Sequence, residues 1–372
     1  MRGLAVVTAL SLALSATPAF ADTTPYLPAP TGNRPVGTTS LHLEDTSRPD
    51  PWVPSTHREL MVSLFYPAAT ARGPRSRYVT PTESALMLED AGLTDLPPDL
   101  LSTTRTNAVV DAPPAPGRRH RAPLVVLSPG FINGRATLTA LAEDLAGRGY
   151  VVAVVDHTHE NVATTFPDGR VTTCAACEVD HLDGFWEKLG AGRAADVSFV
   201  LDQLTGPLRH RRGANLVDPA RIAMAGHSAG GASAILAMLA DDRIRAGIDL
   251  DGSTHVPIPA EGLSRPFLFV GNKDLYVPGS LGPYRGWERD WPRLTGWKRW
   301  LVVAGTRHAS FTDLGPLADQ LGVDIGTDID ANRALAITRT YTAAFFDLHL
   351  RGTPQPLLAG PSADHPEVTF VG

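Results

Sequence analysis

Lysine and cysteine are the scarce residues of this 372-residue chain. Of its 33 basic residues only Lys188, Lys273 and Lys298 are lysines. With a net charge of −6 at pH 7 and no basic stripe, the chain carries no electrostatic footprint for nucleic acid, which excludes that partner class. The arginine bias reads as a GC-rich coding origin. Cysteine occurs only as Cys174 and Cys177, spaced C-x-x-C, and two thiols are too few for a zinc site. A thioredoxin-like redox motif needs a strand-then-helix setting, whereas the stretch from Pro167-Asp168-Gly169 through 172–178 reads as a loop. In an exported chain the pair is expected to close a small disulfide. Charged residues make up 19% and hydrophobic ones 43%, ordinary values that exclude wholesale disorder and allow a substantial core.

The N-terminus carries a processing pattern: Arg2, an apolar stretch over 4–14, and Ala19-Phe20-Ala21 as a small-x-small cleavage site. The apolar stretch is short for a membrane anchor and is followed by Pro18 and a polar, Pro-rich segment. No cysteine follows the cleavage site, so a lipoprotein anchor is not indicated. A secreted protein is expected, with residues 1–21 as signal peptide, 22–40 as an extended, loosely held leader, and 41–372 as one domain. Within that domain, 71–120 is rich in Pro, Arg and Ser with one helical patch over 85–91, and reads as an insertion or cap.

Elsewhere the pattern is regular. Short apolar strands are predicted at 60–66, 124–127, 151–155, 222–225, 246–250, 267–270 and 300–303. Helices are predicted where Leu138, Leu141, Ala142 and Leu145 share a face before Gly147, where Val197, Val200, Leu201 and Leu204 do, and over 332–350 with Ile337, Tyr341, Ala344, Phe345 and Leu348 inward. Alternating strands and helices imply an α/β architecture, a mainly parallel central sheet with helices on both faces.

Gly226-His227-Ser228-Ala229-Gly230-Gly231 directly follows the apolar strand 222–225 and precedes the helix-forming run 232–239. That context is the nucleophile elbow of the α/β-hydrolase fold, with Ser228 as nucleophile. A serine hydroxyl needs a base, and the fold orders its triad serine, acid, histidine. Of twelve histidines, His308 follows the strand 300–303; His349 lies inside the last helix and His365 in the polar tail. Asp251 and Asp274 each follow a predicted parallel strand, where sites assemble in open sheets, and the pattern alone leaves both open as the acid. Backbone N–H groups of Ala229 and, in Ser128-Pro129-Gly130-Phe131, of Phe131 are the candidate oxyanion donors. His157-Thr158-His159-Glu160 lacks a third metal ligand at a plausible spacing and reads as a polar loop; no metal is expected. Tyr276, Tyr284, Trp287 and Trp291 read either as packing of a long loop or as a wall for an apolar acyl group or a surface that touches lipid.

From about Leu41 to Leu317 the chain resembles the secreted platelet-activating-factor acetylhydrolases and their bacterial relatives, within the α/β-hydrolase superfamily. The resemblance rests on Arg58-Glu59-Leu60-Met61-Val62 to Tyr66-Pro67, Ser128-Pro129-Gly130-Phe131, Val155-Asp156-His157, the elbow itself, Ile248-Asp249-Leu250-Asp251, and Gly305-Thr306-Arg307-His308 to Phe311-Thr312-Asp313. It implies Asp251 as the acid beside Ser228 and His308, Phe131 and Ala229 as oxyanion donors, and no cofactor. It also implies a small-molecule or lipid ester as substrate, cleaved at a short or oxidised acyl chain, with transient contact to a lipid surface. Animal members carry a bulky aromatic after the serine and an aromatic-Met-Phe-Pro stretch after the acid; here those positions read Ala229 and Gly252-Ser253-Thr254, so the acyl pocket is expected to differ in shape. The competing expectation is a lipase- or cutinase-like esterase for longer esters or polyesters, with Asp274 as acid. A third is a non-catalytic scaffold. The oligomeric state is not specified by the sequence.

Overall fold

The structure, a computed structural model, describes residues 24–115, 121–280, 282 and 284–371; the expected signal peptide lies outside them. Strands are β1 (Val36–Pro49), β2 (His57–Pro67), β3 (Arg75–Arg77), β4 (Arg105–Val110), β5 (Ala122–Ser128), β6 (Val151–His157), a small hairpin of β7 (Thr164–Thr165) and β8 (Val171–Thr172), β9 (Val217–His227), β10 (Ile244–Leu250), β11 (Phe267–Asn272), β12 (Lys298–Val303) and β13 (Val368–Phe370). Eleven of them form one sheet in the order β13-β12-β11-β10-β9-β5-β6-β2-β1-β4-β3. β6, β5, β9, β10, β11 and β12 run parallel, and β13 and β2 flank them antiparallel.

The parallel strands are continuous apolar runs because both faces are covered. In β5, Leu124 and Val126 point to one core and Val125 and Leu127 to the other. The helices are α1 (Pro81–Asp90), α2 (Thr139–Gly147), α3 (Phe185–Thr205), α4 (Ala229–Ala240), α5 (Lys273–Tyr276), α6 (Tyr284–Asp290), α7 (Leu314–Gln320) and α8 (Ala331–Arg351). Val197, Val200, Leu201 and Leu204 of α3 pack with Ile235 and Met238 of α4 on the first face, and Leu141 and Leu145 of α2 with Ile337, Tyr341 and Phe345 of α8 on the second. The helical patch expected over 85–91 begins earlier, at Pro81, because Thr80 and Glu83 close a capping box ahead of it.

The stretch 71–110 joins the sheet edge. β4 pairs with β1 and β3, and β5, β6, β2 and β1 separate it from β9. The apolar side chains of this stretch, Tyr78, Val79, Leu88 and Leu101, pack with Leu317 and Leu335. The described part of the leader is held tightly rather than loosely. Leu27 is buried and its N–H bonds Arg105 O at 2.9 Å, Thr31 bonds Asp144, and 36–40 is already strand β1. Paired main-chain groups and a burial site for Leu27 outweigh the loop-like composition.

Candidate active site

β9 ends at His227 and α4 begins at Ala229, so Ser228 alone makes the turn, at φ 56° and ψ −125°. That strained conformation is fixed from both sides. Ser228 N donates to Leu250 O at 2.8 Å, while Gly231 N and Ala232 N donate to Ser228 O at 2.9 and 3.0 Å. Two glycines permit the close approach. A Cβ on Gly226 would lie 2.2 Å from Gly230 C, and one on Gly230 would lie 2.0 Å from Ser128 O. Ser228 remains partly exposed at the end of the sheet.

Asp251 follows β10 with a positive φ of 58°, and it is 1% exposed. Its Oδ1 accepts Asn272 N at 2.7 Å and Asn272 Nδ2 at 2.9 Å; its Oδ2 lies 2.6 Å from His308 Nδ1. His308 opens a short 3-10 turn after β12 and keeps a half-exposed ring. Asp274, the other expected acid, pairs instead with Arg307, and its side chain is 61% exposed. His227, next to Ser228, lies tilted against the His308 ring at 4.4 Å between ring centres and 2.9 Å from His308 O through Nε2. Burial, with the charge of His308 adding to it, pushes His227 down to about 3, so Nε2–H donates to that carbonyl. Ser228 thus lies next in the chain to His227, whose ring contacts His308, and its N–H bonds Leu250 O, the residue before Asp251. Among the described residues no hydrogen bond joins the Ser228 hydroxyl to His308, whose own side-chain partner is Asp251.

The loop after β5 reaches the same point. A Cβ on Gly130 would lie 3.2 Å from Ser228 Cβ and 3.2 Å from His227 Nδ1. Among the described residues neither Phe131 N nor Ala229 N is taken by another acceptor. Beside them stands an aromatic wall that the sequence reading did not identify. The Phe131 ring packs on Phe185 at 5.2 Å and Trp186 at 5.8 Å, Trp52 on Phe185 at 5.2 Å, and Trp186 stacks flat on His255 at 4.6 Å. A slot of about 20 Å³ beside Ala229, lined by Trp186, Leu189, Leu236 and His255, has room for roughly one water. The Tyr276, Tyr284, Trp287 and Trp291 stretch turns out to be packing. Trp287 is fully buried, 4.1 Å from Tyr276 and 4.4 Å from Phe269; Trp287 Nε1 donates to Gly252 O and the Tyr276 hydroxyl to Asp251 O. Those two bonds hold the Asp251–Gly252 main chain. Cys174 and Cys177 are bonded as a disulfide, and Cys174 packs on the cluster containing Phe185 and Ala229. Missing from the sequence reading, too, was Asn272, which precedes a Lys-Asp pair and carries no motif of its own.

Among known proteins, the ferulic acid esterase from Streptomyces cinnamoneus has a similar solved structure, with a TM-score of 0.82 and 46% identity over 94% of this chain and 100% of that one. Fold and neighbour together define a carboxylic ester hydrolase with the α/β-hydrolase fold. The chain belongs to the platelet-activating factor acetylhydrolase, isoform II family, whose model it matches over 21–175 and 204–353. It is 31% identical to a probable 1-alkyl-2-acetylglycerophosphocholine esterase of Arthroderma benhamiae, over 93% of each chain, and 23% identical to the platelet-activating factor acetylhydrolase of Gallus gallus, over 63% of each.

Proposed function

We propose that the protein is an exported serine esterase acting through an acyl-serine intermediate, with Ser228 as nucleophile, His308 as base and Asp251 as the acid that orients it. Ser228 Oγ attacks the ester carbonyl carbon while its proton passes to His308 Nε2. The oxygen that gains the negative charge meets the N–H groups of Phe131 and Ala229, each such donor supplying about a hundred- to a thousandfold in turnover. Collapse breaks the ester C–O bond, and the alcohol leaves with the proton from His308. Water, deprotonated by the same imidazole, then releases the acid and restores Ser228. The single observation that carries this reading is the 2.6 Å contact of His308 Nδ1 with buried Asp251, beside a serine held in an elbow. Export is supported by the N-terminal pattern, and no described helix is long and apolar enough to cross a membrane.

For the substrate we infer an ester whose acyl group carries an aromatic ring. The supporting geometry is a set of aromatic rings beside Ala229 that stay reachable from outside: Phe131 and Trp186 are partly exposed and His255 exposed. The likeness to the ferulic acid esterase supports it as well. A second reading, hydrolysis of a short or oxidised acyl chain from a phospholipid, is favoured by the family. Ile132 and Leu182, both exposed, would then meet the lipid surface.

The test is a panel of methyl hydroxycinnamate, a 2-acetyl ether phospholipid and nitrophenyl esters of increasing chain length, with Ser228→Ala as control. The expected ranking in kcat/KM puts the hydroxycinnamate first, and Trp186→Ala lowers it about tenfold for that ester but not for nitrophenyl acetate. A preference for the acetyl phospholipid establishes the second reading, and a rise with chain length the lipase-like one. Failure of a fluorophosphonate to label Ser228 would leave only a binding scaffold.

A further inference from the structure

His157, the last residue of β6, and Glu160, three residues on, enter a largely buried charge network with no part in the triad, which partly exposed Arg48 joins through Asp196. Arg193 of α3 is 1% exposed. Its Nε lies 2.7 Å from Glu160 Oε2, and its Nη1 donates to Pro129 O at 2.5 Å and to Ser128 Oγ at 3.3 Å. Ser128 Oγ is also 2.9 Å from His157 Nε2, and His157 Nδ1 is 2.7 Å from Asp196 Oδ2. Asp196 is held by buried Arg58 at 2.6 and 3.0 Å, and Arg58 by Asp50 at 2.8 Å. Each donor has one direction available. Asp196 accepts from His157 Nδ1–H, so His157 Nε2 accepts from the Ser128 hydroxyl, whose oxygen accepts from Arg193.

Three of these bonds end on one segment, where β5 runs into the loop after it. Ser128 is held by its hydroxyl and Pro129 by its carbonyl, while Ile132 N donates to Glu160 O at 2.9 Å. The intervening peptide Gly130–Phe131 bears the N–H read above as an oxyanion donor. A donor contributes only when it is aimed at the oxygen's position before the reaction begins. Arg193, on the packed helix α3, thus ties the Ser128–Pro129 end of this loop to the helix.

We infer that Arg193 is a positioning residue for the oxyanion hole, fixing the Phe131 N–H through Pro129 O and Ser128 Oγ, with Glu160 and the His157–Asp196–Arg58 chain holding it in register. The inference rests on the acyl-serine reading. It accounts for the His-Thr-His-Glu stretch without a metal. His157 and Glu160 face the network, whereas His159 turns out toward Thr173 O.

The experiment compares an aryl acetate with its thionoester, in which sulfur, a weak hydrogen-bond acceptor, replaces the carbonyl oxygen. Arg193→Lys keeps the charge beside Glu160 but cannot span three acceptors with one ammonium. For the oxygen ester kcat should fall roughly 10- to 100-fold with KM within about threefold, while the thionoester changes little, so the oxygen-to-sulfur rate ratio collapses. Ser128→Ala removes one hydroxyl and should lower the same ratio by about three- to tenfold; it decides the matter if Arg193→Lys does not fold. A ratio unchanged from wild type in the folded variants, including a kcat loss shared equally by both esters, overturns the inference and leaves Arg193 structural. Turnover retained by Ser228→Ala, or a wild-type ratio near one, instead removes the acyl-serine or oxyanion reading, and this inference with it.

Discussion

Asp251 and Asp274 sit at the ends of neighbouring parallel strands, and what surrounds each one separates them. Asp251 is buried and accepts two bonds from Asn272 besides its contact with His308; Asp274 is exposed and tied to Arg307. Asp251→Asn, which leaves the amide unable to hold the imidazole in the productive tautomer, should cost about 10⁴ in kcat, whereas Asp274→Asn should stay within roughly threefold. Steady-state kinetics on one ester checks both, and the reverse order would transfer the acid's role. Asp249, two residues earlier, behaves differently. Burial pushes its carboxyl well above the usual range, and it packs under the elbow, where a Cβ on Gly231 would lie 2.0 Å from Oδ1. In the window between the unfolded value near 4 and the raised native one, the native state binds more protons than the unfolded chain, so this group's contribution to stability falls as pH rises. Asp249→Asn is neutral at every pH. It should therefore lose less stability than wild type between pH 5 and 7, read as the shift in urea midpoint.

Elements whose two faces are both covered were legible from the sequence, because a buried strand or an amphipathic helix advertises itself in apolar spacing. β5, β6, β9, β10, β11, β12, α2, α3 and α8 were all expected near their observed positions. β1, β4 and β13 were not. β1 mixes Thr, Glu and Asp with Leu41 and Leu43, and β4 and β13 are short pieces near the sheet edges where half the side chains face solvent. The elbow was legible for a local reason: only glycine fits where β9, α4 and the β5 loop meet. Gly230→Ala, with its Cβ 2.0 Å from Ser128 O, should cost about 3 kcal/mol and abolish turnover, measurable by chemical denaturation and assay. The disulfide segment is a gentler support. Its ring spans only Cys174 to Cys177, so reduction should cost on the order of 2 kcal/mol and a few degrees in Tm. Cys174 packs on the same Phe185 and Ala229 cluster that Phe131 and Trp186 border, so reduction should weaken turnover of an aromatic ester more than of an acetate.

Across the whole molecule, the aromatic wall and the Arg193 network stayed hidden because they are made of residues distant in sequence. Trp52, Phe131, Trp186 and His255 come from four separate segments, and no spacing rule relates Arg58 to Asp196 or Arg193 to Pro129. The same long-range burial sets how the protein responds to acid. His157, His227 and His349 are all pushed down by burial, His227 to about 3 and His349 to about 4. In the unfolded chain each takes up a proton near pH 6.5, and in the native state only at lower pH. Below 6.5 the unfolded chain thus binds more protons, so stability is fully present above that value and is lost as pH falls toward the native values. Asp196, which burial alone would raise but Arg58 and His157 hold below the usual carboxylate range, adds a second loss of the same sign, beginning near pH 4. The contribution of these histidines to unfolding free energy should therefore begin to decline near pH 6.5, at up to about 1.4 kcal/mol per pH unit for each proton taken up, opposed in that window by the buried carboxyls of Asp249 and Asp313, which burial holds protonated. His349 lies between Trp297 and Phe345 at 4.6 and 4.7 Å, so His349→Phe preserves the packing and removes one titration. Urea melts at pH 7.5, 6.5, 5.5 and 4.5 should show a shallower decline in that variant than in wild type; superimposable declines would mean that His349 takes up its proton equally in both states.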